Sequence, residues 1–213
     1  MNPALSITGL RVTLDTFTLG PLSLELLRGD YVVLMGPSGC GKTTLLKTIA
    51  GFLAPDSGTI CLGDRIVTRL APEERNIGYV PQFPSLFPHL SVRQNIAFGP
   101  ACRGLVAAEC NARVETVAQS IGISHLLARR PHTLSGGESR RVALARTLAT
   151  EPAVLLLDEP LSMLDAPARR ELAEVLRRVQ ARIGTPTLHV THHDEEARLV
   201  GGNCIRMENG VLP

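Results

Sequence analysis

The sequence has little that would cross-link it, insert it into a membrane or attract a polyanion. Its five cysteines are scattered, with none spaced as CxxC, which argues against a disulfide or zinc framework and favours the reduced thiols of a cytosolic protein. No apolar run approaches the roughly 20 residues that a membrane-spanning helix needs. The formal net charge is only +2, so bulk binding to nucleic acid or anionic lipid is not expected. Any role at a membrane should therefore depend on a partner.

The remaining composition is that of an ordinary globular protein. Of the 213 residues, 44% are apolar and 20% are charged, which fits one domain or one domain with a sizeable insertion. Short apolar runs alternate with amphipathic segments, a pattern typical of a largely parallel α/β sheet. The expected strands are 22–27, Tyr31–Met35, Ile77–Val80, 153–157 and Thr187–Thr191, and the expected helices of this alternating part are Lys42–Ala50 and 167–183.

The middle of the chain departs from this alternation. From about residue 83 helical patterns dominate, and a further helix follows the stretch LSGGE. We interpret residues 83–149 as a helical insertion in a single domain, whose α/β core is formed by residues 1–82 and 150–213. The helices expected early in the insertion are 92–98 and 106–121.

The stretch GPSGCGKTT matches the phosphate-loop pattern GxxxxGK[ST] and lies between the strand YVVLM and a helix, as the motif requires. Its glycines let backbone N–H groups surround a phosphate chain, Lys42 adds positive charge, and the Thr43 hydroxyl is a hard oxygen ligand for Mg²⁺. A glycine-rich helix cap is the plain alternative, and Cys40 is either a small filler or a thiol activated by the helix N-terminus. The residues expected to contact a nucleoside triphosphate are Gly36, Pro37, Ser38, Gly39, Cys40, Gly41, Lys42, Thr43 and Thr44.

Two adjacent carboxylates end a predicted strand in the stretch AVLLLDEP. Ligands of open α/β sheets lie outside the carboxyl ends of the strands, which places Asp158 where it can hold Mg²⁺. Glu159 points to the other side of the strand end, where it can act as a general base on the attacking water or orient that water. An acidic turn before Pro160 is the alternative without a function.

A second glycine-containing turn, LSGGE, opens the last helix of the insertion. Ser135 and Glu138 fit the S-x-x-E capping box, in which each side chain satisfies the other residue's backbone N–H. The box does not explain Gly136 and Gly137, because two glycines weaken a helix start unless something must approach the backbone closely. A phosphate is such a group, which raises the question of why one chain has two phosphate-binding turns.

Taken together, these motifs resemble the ATPase subunits of ABC transporters. The similarity rests on GPSGCGKTT, Gln82 after YVP, LSGGE, LLLDEP, LSMLD and VTHH, which occur in the family's order over nearly the whole chain. It implies a P-loop NTPase (RecA-like) fold with an N-terminal antiparallel β subdomain, and ATP with Mg²⁺ as cofactors. It also implies that two copies pack head to tail, so that Ser135, Gly136 and Gly137 contact the ATP bound by the other copy's phosphate loop.

The resemblance implies further roles residue by residue. Gln82 corresponds to the Q-loop residue, which senses Mg²⁺ and the attacking water and links this region to the helical insertion. Asp165 corresponds to the D-loop aspartate, which reaches across the dimer, and His192 to the switch histidine, which contacts the γ-phosphate and supports Glu159. The implied catalytic residues are thus Glu159, His192 and Gln82, and the implied metal ligands are Thr43, Gln82 and Asp158.

Two positions depart from the family pattern. His193 stands where an aspartate usually follows the switch histidine. A zinc site with His189 and His192 is the alternative, although these two side chains would face opposite sides of a continuing strand. The family also stacks an aromatic residue from the N-terminal strands on the adenine. Because aromatics make up only 3% of the sequence, Phe17 is the nearest candidate, and a place in the core is its alternative.

The stretch FPSLFPHLSVRQNIAFG, residues 83–99, resembles bacterial importers for molybdate, sulfate, iron, polyamines and thiamine. In those proteins the Q-loop and adjoining helices receive a coupling helix of the permease. The resemblance implies an ATP-hydrolysing importer subunit, peripheral on the cytoplasmic side of the inner membrane. Its implied partners are membrane permease subunits that contact the region from Gln82 to Gly99, a second copy of itself and a solute-binding protein. An exporter-like or lipoprotein-release ATPase is an alternative, as is a non-transport ABC ATPase.

Overall fold

The computed structural model describes residues 2–212, which form two β-sheets and surrounding helices. None of the helices in this range has both the length and the apolar character needed to cross a membrane. The strands are β1 (Leu5–Leu14), β2 (Phe17–Leu26), β3 (Tyr31–Met35), β4 (Ser57–Leu62), β5 (Arg65–Ile66), β6 (Ile77–Val80), β7 (Val154–Asp158), β8 (Thr187–Thr191) and β9 (Asn203–Arg206). The α-helices are α1 (Lys42–Ala50), α2 (Val92–Cys102), α3 (Ala107–Ile121), α4 (Gly136–Leu148), α5 (Ala166–Ile183) and α6 (Asp194–Val200).

The strands divide into one antiparallel and one parallel sheet. The antiparallel sheet has the order β2-β1-β4-β5, and the parallel sheet has the order β6-β7-β8-β3-β9. Because the N-terminal strands pair with each other and the later strands pair in parallel, the predicted α/β class with an N-terminal antiparallel sheet is confirmed.

The central strands of the parallel sheet are buried on both faces, and alternate residues of β3 and β7 face two separate apolar cores. In β3, Val33 and Met35 face a core shared with helices α2 to α6, whereas Val32 and Leu34 face a core shared with α1 and the antiparallel sheet. Strand β7 divides in the same way. A strand covered on both faces needs no polar residues, which explains the uniformly apolar runs of the sequence.

Four predicted elements, namely β3, α1, β6 and β8, have the expected bounds. The strand expected at 22–27 is the second half of the longer β2. The helix expected at 92–98 was too short, since α2 continues through Pro100 to Cys102. A proline removes one hydrogen bond of the ladder, but α2 packs on α3 and α4, and this contact holds its last turn in place.

Helix α1, which follows the phosphate loop, is fixed at its C-terminal end by a buried arginine. It stops at Gly51, whose φ of 92° is left-handed. The Arg75 guanidinium donates to the carbonyl oxygens of Thr48 and Ile49, both at 2.9 Å, and also to carbonyls in the segment 68–70. Arg75 therefore satisfies the last carbonyls of α1 and ties this helix to the edge of the antiparallel sheet.

Candidate functional site

The predicted phosphate loop, Gln82, the acidic pair and His192 converge at the carboxyl edge of the parallel sheet. Strands β6, β7, β8 and β3 are successive neighbours, and in the β3–β8 register Met35 lies opposite Thr191. The phosphate loop follows β3, Gln82 follows β6, Glu159 follows β7 and His192 follows β8. The edge at which open α/β sheets bind ligands thus carries all four groups.

The phosphate loop has glycines where a side chain would not fit. A Cβ on Gly36 would lie 2.3 Å from the Met207 carbonyl oxygen, and Gly41 has a φ of 105°. Lys42 is 5% exposed, and its Nζ donates to the carbonyl oxygens of Gly36 and Pro37, both at 2.8 Å. This holds the ammonium group against the loop. A cavity of about 200 Å³ beside it is lined by Phe17, Ser38, Gly39, Gly41, Lys42, Thr43, Thr44 and Glu159.

Cys40 and Phe17, for which the sequence left two interpretations, lie on different sides of this loop. The Cys40 thiol is buried in the apolar core beneath the loop, 3.8 Å from the Lys42 Nζ, and is not part of the cavity wall. That position favours the filler interpretation. Phe17 lies at the start of β2, and its ring borders both the core and the cavity, next to Gly41.

Asp158, at the end of β7, and the Thr43 hydroxyl form a pair of hard oxygen groups. Asp158 is 3% exposed, and it accepts hydrogen bonds from the Thr43 hydroxyl on Oδ1 and from the Tyr79 hydroxyl on Oδ2, both at 2.9 Å. Burial raises the pKa of Asp158, and both hydrogen bonds oppose that shift. Burial, and secondly the charge of Asp158, raises the pKa of Tyr79, so the phenol remains a donor. A hydroxyl beside a carboxylate is a donor set that fits Mg²⁺.

Glu159 turns away from Asp158 and meets the other two predicted catalytic residues. Its φ of 48° lies in the left-handed region, which non-glycine residues rarely adopt. Its Oε2 accepts from the Gln82 Nε2 at 2.9 Å, and its Oε1 lies 2.8 Å from the His192 Nδ1. Because an ionised carboxylate only accepts, Nδ1 carries the hydrogen, and Nε2 of a neutral His192 is an acceptor. Gln82, an expected metal ligand, thus directs its amide nitrogen to Glu159.

The histidines of β8 and the following turn have different surroundings. His189 is fully buried with its Nδ1 2.9 Å from the Tyr31 hydroxyl oxygen, and burial lowers the pKa of His189 to about 3. His192 and His193 are exposed, and their rings are in contact, with centroids 3.8 Å apart and planes tilted by 41°. Within residues 2–212, no three histidine, cysteine or acidic side chains are arranged as a metal site.

The turn LSGGE forms the predicted capping box at the start of α4. The Ser135 Oγ accepts from the Glu138 N–H at 3.2 Å, and the Glu138 carboxylate accepts from the Ser135 N–H at 2.7 Å, a bond that lowers the pKa of Glu138. The chain itself requires neither glycine. Neither has a positive φ, and a Cβ on Gly136 would meet no atom within 4 Å, while one on Gly137 would lie 3.8 Å from the Ala168 Cβ. The space that the glycines leave is open to a group outside this chain.

The same turn lines a second cavity, of about 710 Å³, together with Met163 and Asp165. Asp165 also caps α5, since its Oδ1 accepts the Ala168 N–H at 2.8 Å. The second cavity shares no lining residue with the cavity at the phosphate loop. The structure therefore brings together the predicted groups around Thr43 and Glu159 but places the LSGGE turn apart from them.

An aromatic surface, formed by the adjacent rings of Phe87 and Phe98, lies in the stretch that follows β6, which also exposes Phe83. Phe83 and Phe98 are 59% and 44% exposed, and the rings of Phe87 and Phe98 are 4.5 Å apart. The side chain of buried Asn95 bonds the backbone N–H and carbonyl of Phe87, and the Arg146 guanidinium lies 5.2 Å from the Phe87 ring. Exposed apolar groups on a fixed backbone are typical of a protein interaction site.

Tyr79 is a residue of the site that the sequence did not indicate. In the β6–β7 register it lies opposite Leu156, and Asp158 follows two residues later on the same face. The alternation of side chains along a strand would have revealed this neighbour, but only once the register of β6 against β7 was known.

Comparisons with known proteins agree on one family. A family model for ABC transporters matches residues 19–162. A molybdate/tungstate import ATP-binding protein, WtpC of Thermococcus kodakarensis, is 45% identical over 208 residues, which are 98% of this chain and 63% of that protein. An sn-glycerol-3-phosphate import ATP-binding protein, UgpC of Burkholderia thailandensis, is 43% identical over 209 residues, which are 97% of this chain and 58% of that protein. The chain thus spans about three-fifths of the length of these relatives.

Solved structures share the fold. The cbiO1 protein of Clostridium perfringens, described as part of the ABC transporter complex cbiONQ, superposes with a TM-score of 0.90 at 30% identity, covering 100% of this chain and 88% of that one. MJ1267, an ATP-binding cassette of an ABC transporter, superposes with a TM-score of 0.88 at 23% identity, covering 100% and 90%, and supports the fold alone. The predicted P-loop NTPase fold is confirmed.

Proposed function

The chain belongs to the ABC transporter family, and from that premise we propose that it is the ATP-hydrolysing subunit of a solute importer. The observation that carries the proposal is the meeting of three groups at one sheet edge. These are the phosphate loop, the oxygen pair of Thr43 and Asp158, and Glu159 held between Gln82 and His192. The relatives WtpC and UgpC are named as import proteins, which favours import over the exporter-like, lipoprotein-release and non-transport alternatives.

In the proposed reaction the phosphate loop binds ATP. The backbone N–H groups of the loop and the Lys42 ammonium would contact the phosphate oxygens, and Thr43 with Asp158 would hold Mg²⁺. When bound there, the ion offsets the charge that develops on the β- and γ-phosphates. Phe17, at the rim of the same cavity, is the proposed contact for the adenine.

Glu159 is the proposed general base. Its two side-chain partners, Gln82 and His192, fix both oxygens of the carboxylate, so that it can take a proton from a water placed in line with the γ-phosphate. The other ring nitrogen of His192, Nε2, is proposed to contact the γ-phosphate.

A second copy of the chain completes the site in this proposal. Ser135, Gly136 and Gly137 contact the γ-phosphate that the partner's phosphate loop binds, and Asp165 lies beside them at the shared surface. Two observations support this arrangement. The chain's own packing requires neither glycine, and the LSGGE cavity shares no lining residue with the cavity at the phosphate loop.

The aromatic surface is proposed to receive a coupling helix of membrane permease subunits, which would place the chain peripherally at the cytoplasmic face of the inner membrane. A solute-binding protein would belong to the same system. The names of the two relatives cover metal oxyanions and a phosphate ester, so the proposal extends to solute import and no further.

Two variants test the proposed chemistry on the purified chain. Lys42→Ala should lose ATP affinity in calorimetry, because the phosphates lose a buried positive partner. Glu159→Gln should bind MgATP but release phosphate roughly 10²–10⁴-fold more slowly. Unchanged ATP binding by Lys42→Ala would place the nucleotide elsewhere, and near-normal hydrolysis by Glu159→Gln would remove the general base. Co-purification with a polytopic permease tests the transport role, and failure to co-purify with any membrane protein would favour a non-transport function.

A further inference from the structure

The two hydrogen bonds on Asp158 have different donors, and the reaction proposed above uses only one of them. We propose that Tyr79 is a positioning residue for the Mg²⁺ site, which holds the Asp158 carboxylate so that its Oδ1 faces Thr43. The inference rests on the proposed function, because it takes Thr43 and Asp158 as the residues that hold the ion.

Tyr79 and Thr43 fix the Asp158 carboxylate from two separate elements. Tyr79 belongs to β6, the parallel neighbour of β7, and its hydroxyl donates to Oδ2 at 2.9 Å. Thr43 belongs to the first turn of α1, and its hydroxyl donates to Oδ1 at 2.9 Å. With one donor on each oxygen, the plane of the carboxylate is set, and so is the direction in which Oδ1 presents its remaining lone pair.

The ring of Tyr79 has packing partners of its own. It lies edge-on to the Phe52 ring, with centroids 5.6 Å apart and planes at 64°, and it packs against the apolar core beneath α1. Edge-to-face contacts of this kind favour a fixed ring geometry. The hydroxyl is therefore carried by a packed ring. Because it donates its hydrogen to Asp158, Tyr79 supports a proposed metal ligand without being a ligand itself.

Loss of the Tyr79 hydroxyl should weaken the binding of Mg²⁺. Asp158 is 3% exposed, so water has little access to replace the lost donor on Oδ2. The carboxylate could then rotate about its Cβ–Cγ bond and turn Oδ1 away from Thr43. Loss of such an outer partner of a metal ligand typically weakens metal affinity by about 10–100-fold. The plain alternative is that Tyr79 only fills space, in which case the ring without its hydroxyl would serve equally well.

The chain offers a matched pair of variants, because it contains two tyrosines. Tyr79→Phe removes the hydroxyl at the site and keeps the ring. Tyr31→Phe is the control, since the Tyr31 hydroxyl faces buried His189 at 2.9 Å. ATP binding is measured by calorimetry in excess EDTA and then at increasing Mg²⁺. For Tyr79→Phe we expect the Mg²⁺ concentration at half-maximal gain in ATP affinity to rise about tenfold or more. Its ATP affinity in EDTA should be unchanged, and Tyr31→Phe should match the wild type in both.

Two results would overturn the proposal. One is a Mg²⁺ half-point of Tyr79→Phe that equals that of the wild type. The other is an equal loss of ATP affinity with and without Mg²⁺, which would assign the effect to the nucleotide pocket instead of the metal. Lys42→Ala in the same titrations separates this failure from that of the proposed function. If Lys42→Ala bound ATP in EDTA as the wild type does, the nucleotide site itself would be contradicted, whatever Tyr79 does.

Discussion

At the scale of the single residue, Glu159 lies at the centre of the site and has an unfavourable, left-handed backbone conformation. A left-handed conformation of a non-glycine residue costs of order 1–3 kcal/mol, and it persists where surrounding contacts determine it. Here the Glu159 N–H donates to the Val190 carbonyl at 2.9 Å, and the Ser162 hydroxyl donates to the Glu159 carbonyl at 2.9 Å. These bonds hold the turn that directs the carboxylate to His192, away from Asp158.

The two adjacent histidines should respond differently to substitution. The His192 Nδ1 contacts Glu159 at 2.8 Å, whereas the His193 ring only contacts the His192 ring, and its backbone N–H donates to the Thr191 hydroxyl. We expect His192→Ala to lower kcat by roughly 100-fold or more. His193→Ala removes an exposed ring and keeps the backbone bond, so kcat should change by less than about threefold. Phosphate release at saturating ATP measures both, and a larger defect in His193→Ala would transfer the role to that residue.

At the scale of elements, the sequence predicts best what is buried on both sides. The central strands β3 and β7 are apolar except for Asp158 at the end of β7, because each is covered by two cores. Strand β1 was not predicted, since its pairing with β2 and β4 contains register shifts that break the alternation of its residues. Strand β9 is short and mostly exposed at the sheet edge, so it lacks an apolar run.

The same limit applies to the candidate site. Motifs such as GPSGCGKTT predict local chemistry, because their residues are neighbours in sequence. That Gln82, Glu159 and His192 belong to one site followed from the resemblance. They come after three different strands, and the sequence of a single strand does not indicate contacts to the others. The contact between Tyr79 and Asp158 depends on the register of β6 against β7, which the chain acquires only by folding.

Helix α4 supports Glu159 through an arginine. The guanidinium of buried Arg140 donates to the Ser162 carbonyl, and Ser162 in turn bonds the Glu159 carbonyl. Burial lowers the pKa of Arg140, and the charge of Glu196 opposes that shift. The helix that begins at the LSGGE turn therefore touches the turn that carries the proposed base.

Arg140→Gln should weaken this support without affecting nucleotide binding. We expect kcat to fall about tenfold, which corresponds to about 1.4 kcal/mol of barrier, with ATP affinity unchanged. Arg140→Lys keeps a charged donor on a long side chain and should recover part of the loss. Steady-state hydrolysis and calorimetric ATP binding measure the two quantities. If both variants lost kcat equally and also unfolded at a lower temperature, the arginine would matter for packing and not for the hydrogen bond.

At the scale of the whole molecule, the phosphate loop and the LSGGE turn line separate cavities. A head-to-tail pair of copies would bring the LSGGE turn of each to the phosphate loop of the other, and this arrangement closes on itself with two equivalent sites. Two substitutions test this head-to-tail arrangement in different ways. Ser135→Arg would block the approach of the partner's γ-phosphate, and Lys42→Ala would remove the chain's own phosphate contact. Each should inactivate a dimer made of that variant alone.

Mixing these two inactive variants should restore activity. In a mixed dimer one site carries both lesions, while the other joins the intact loop of the Ser135→Arg chain to the intact LSGGE turn of the Lys42→Ala chain. Random exchange would leave about a quarter of all sites complete. Phosphate release and ATP-dependent dimerisation are measured together, because a single complete site must be able to act alone for hydrolysis to return. If labelled subunits are shown to exchange and neither quantity returns, the LSGGE turn does not serve a partner's nucleotide, and the Ser135 hydroxyl is left as the cap of α4.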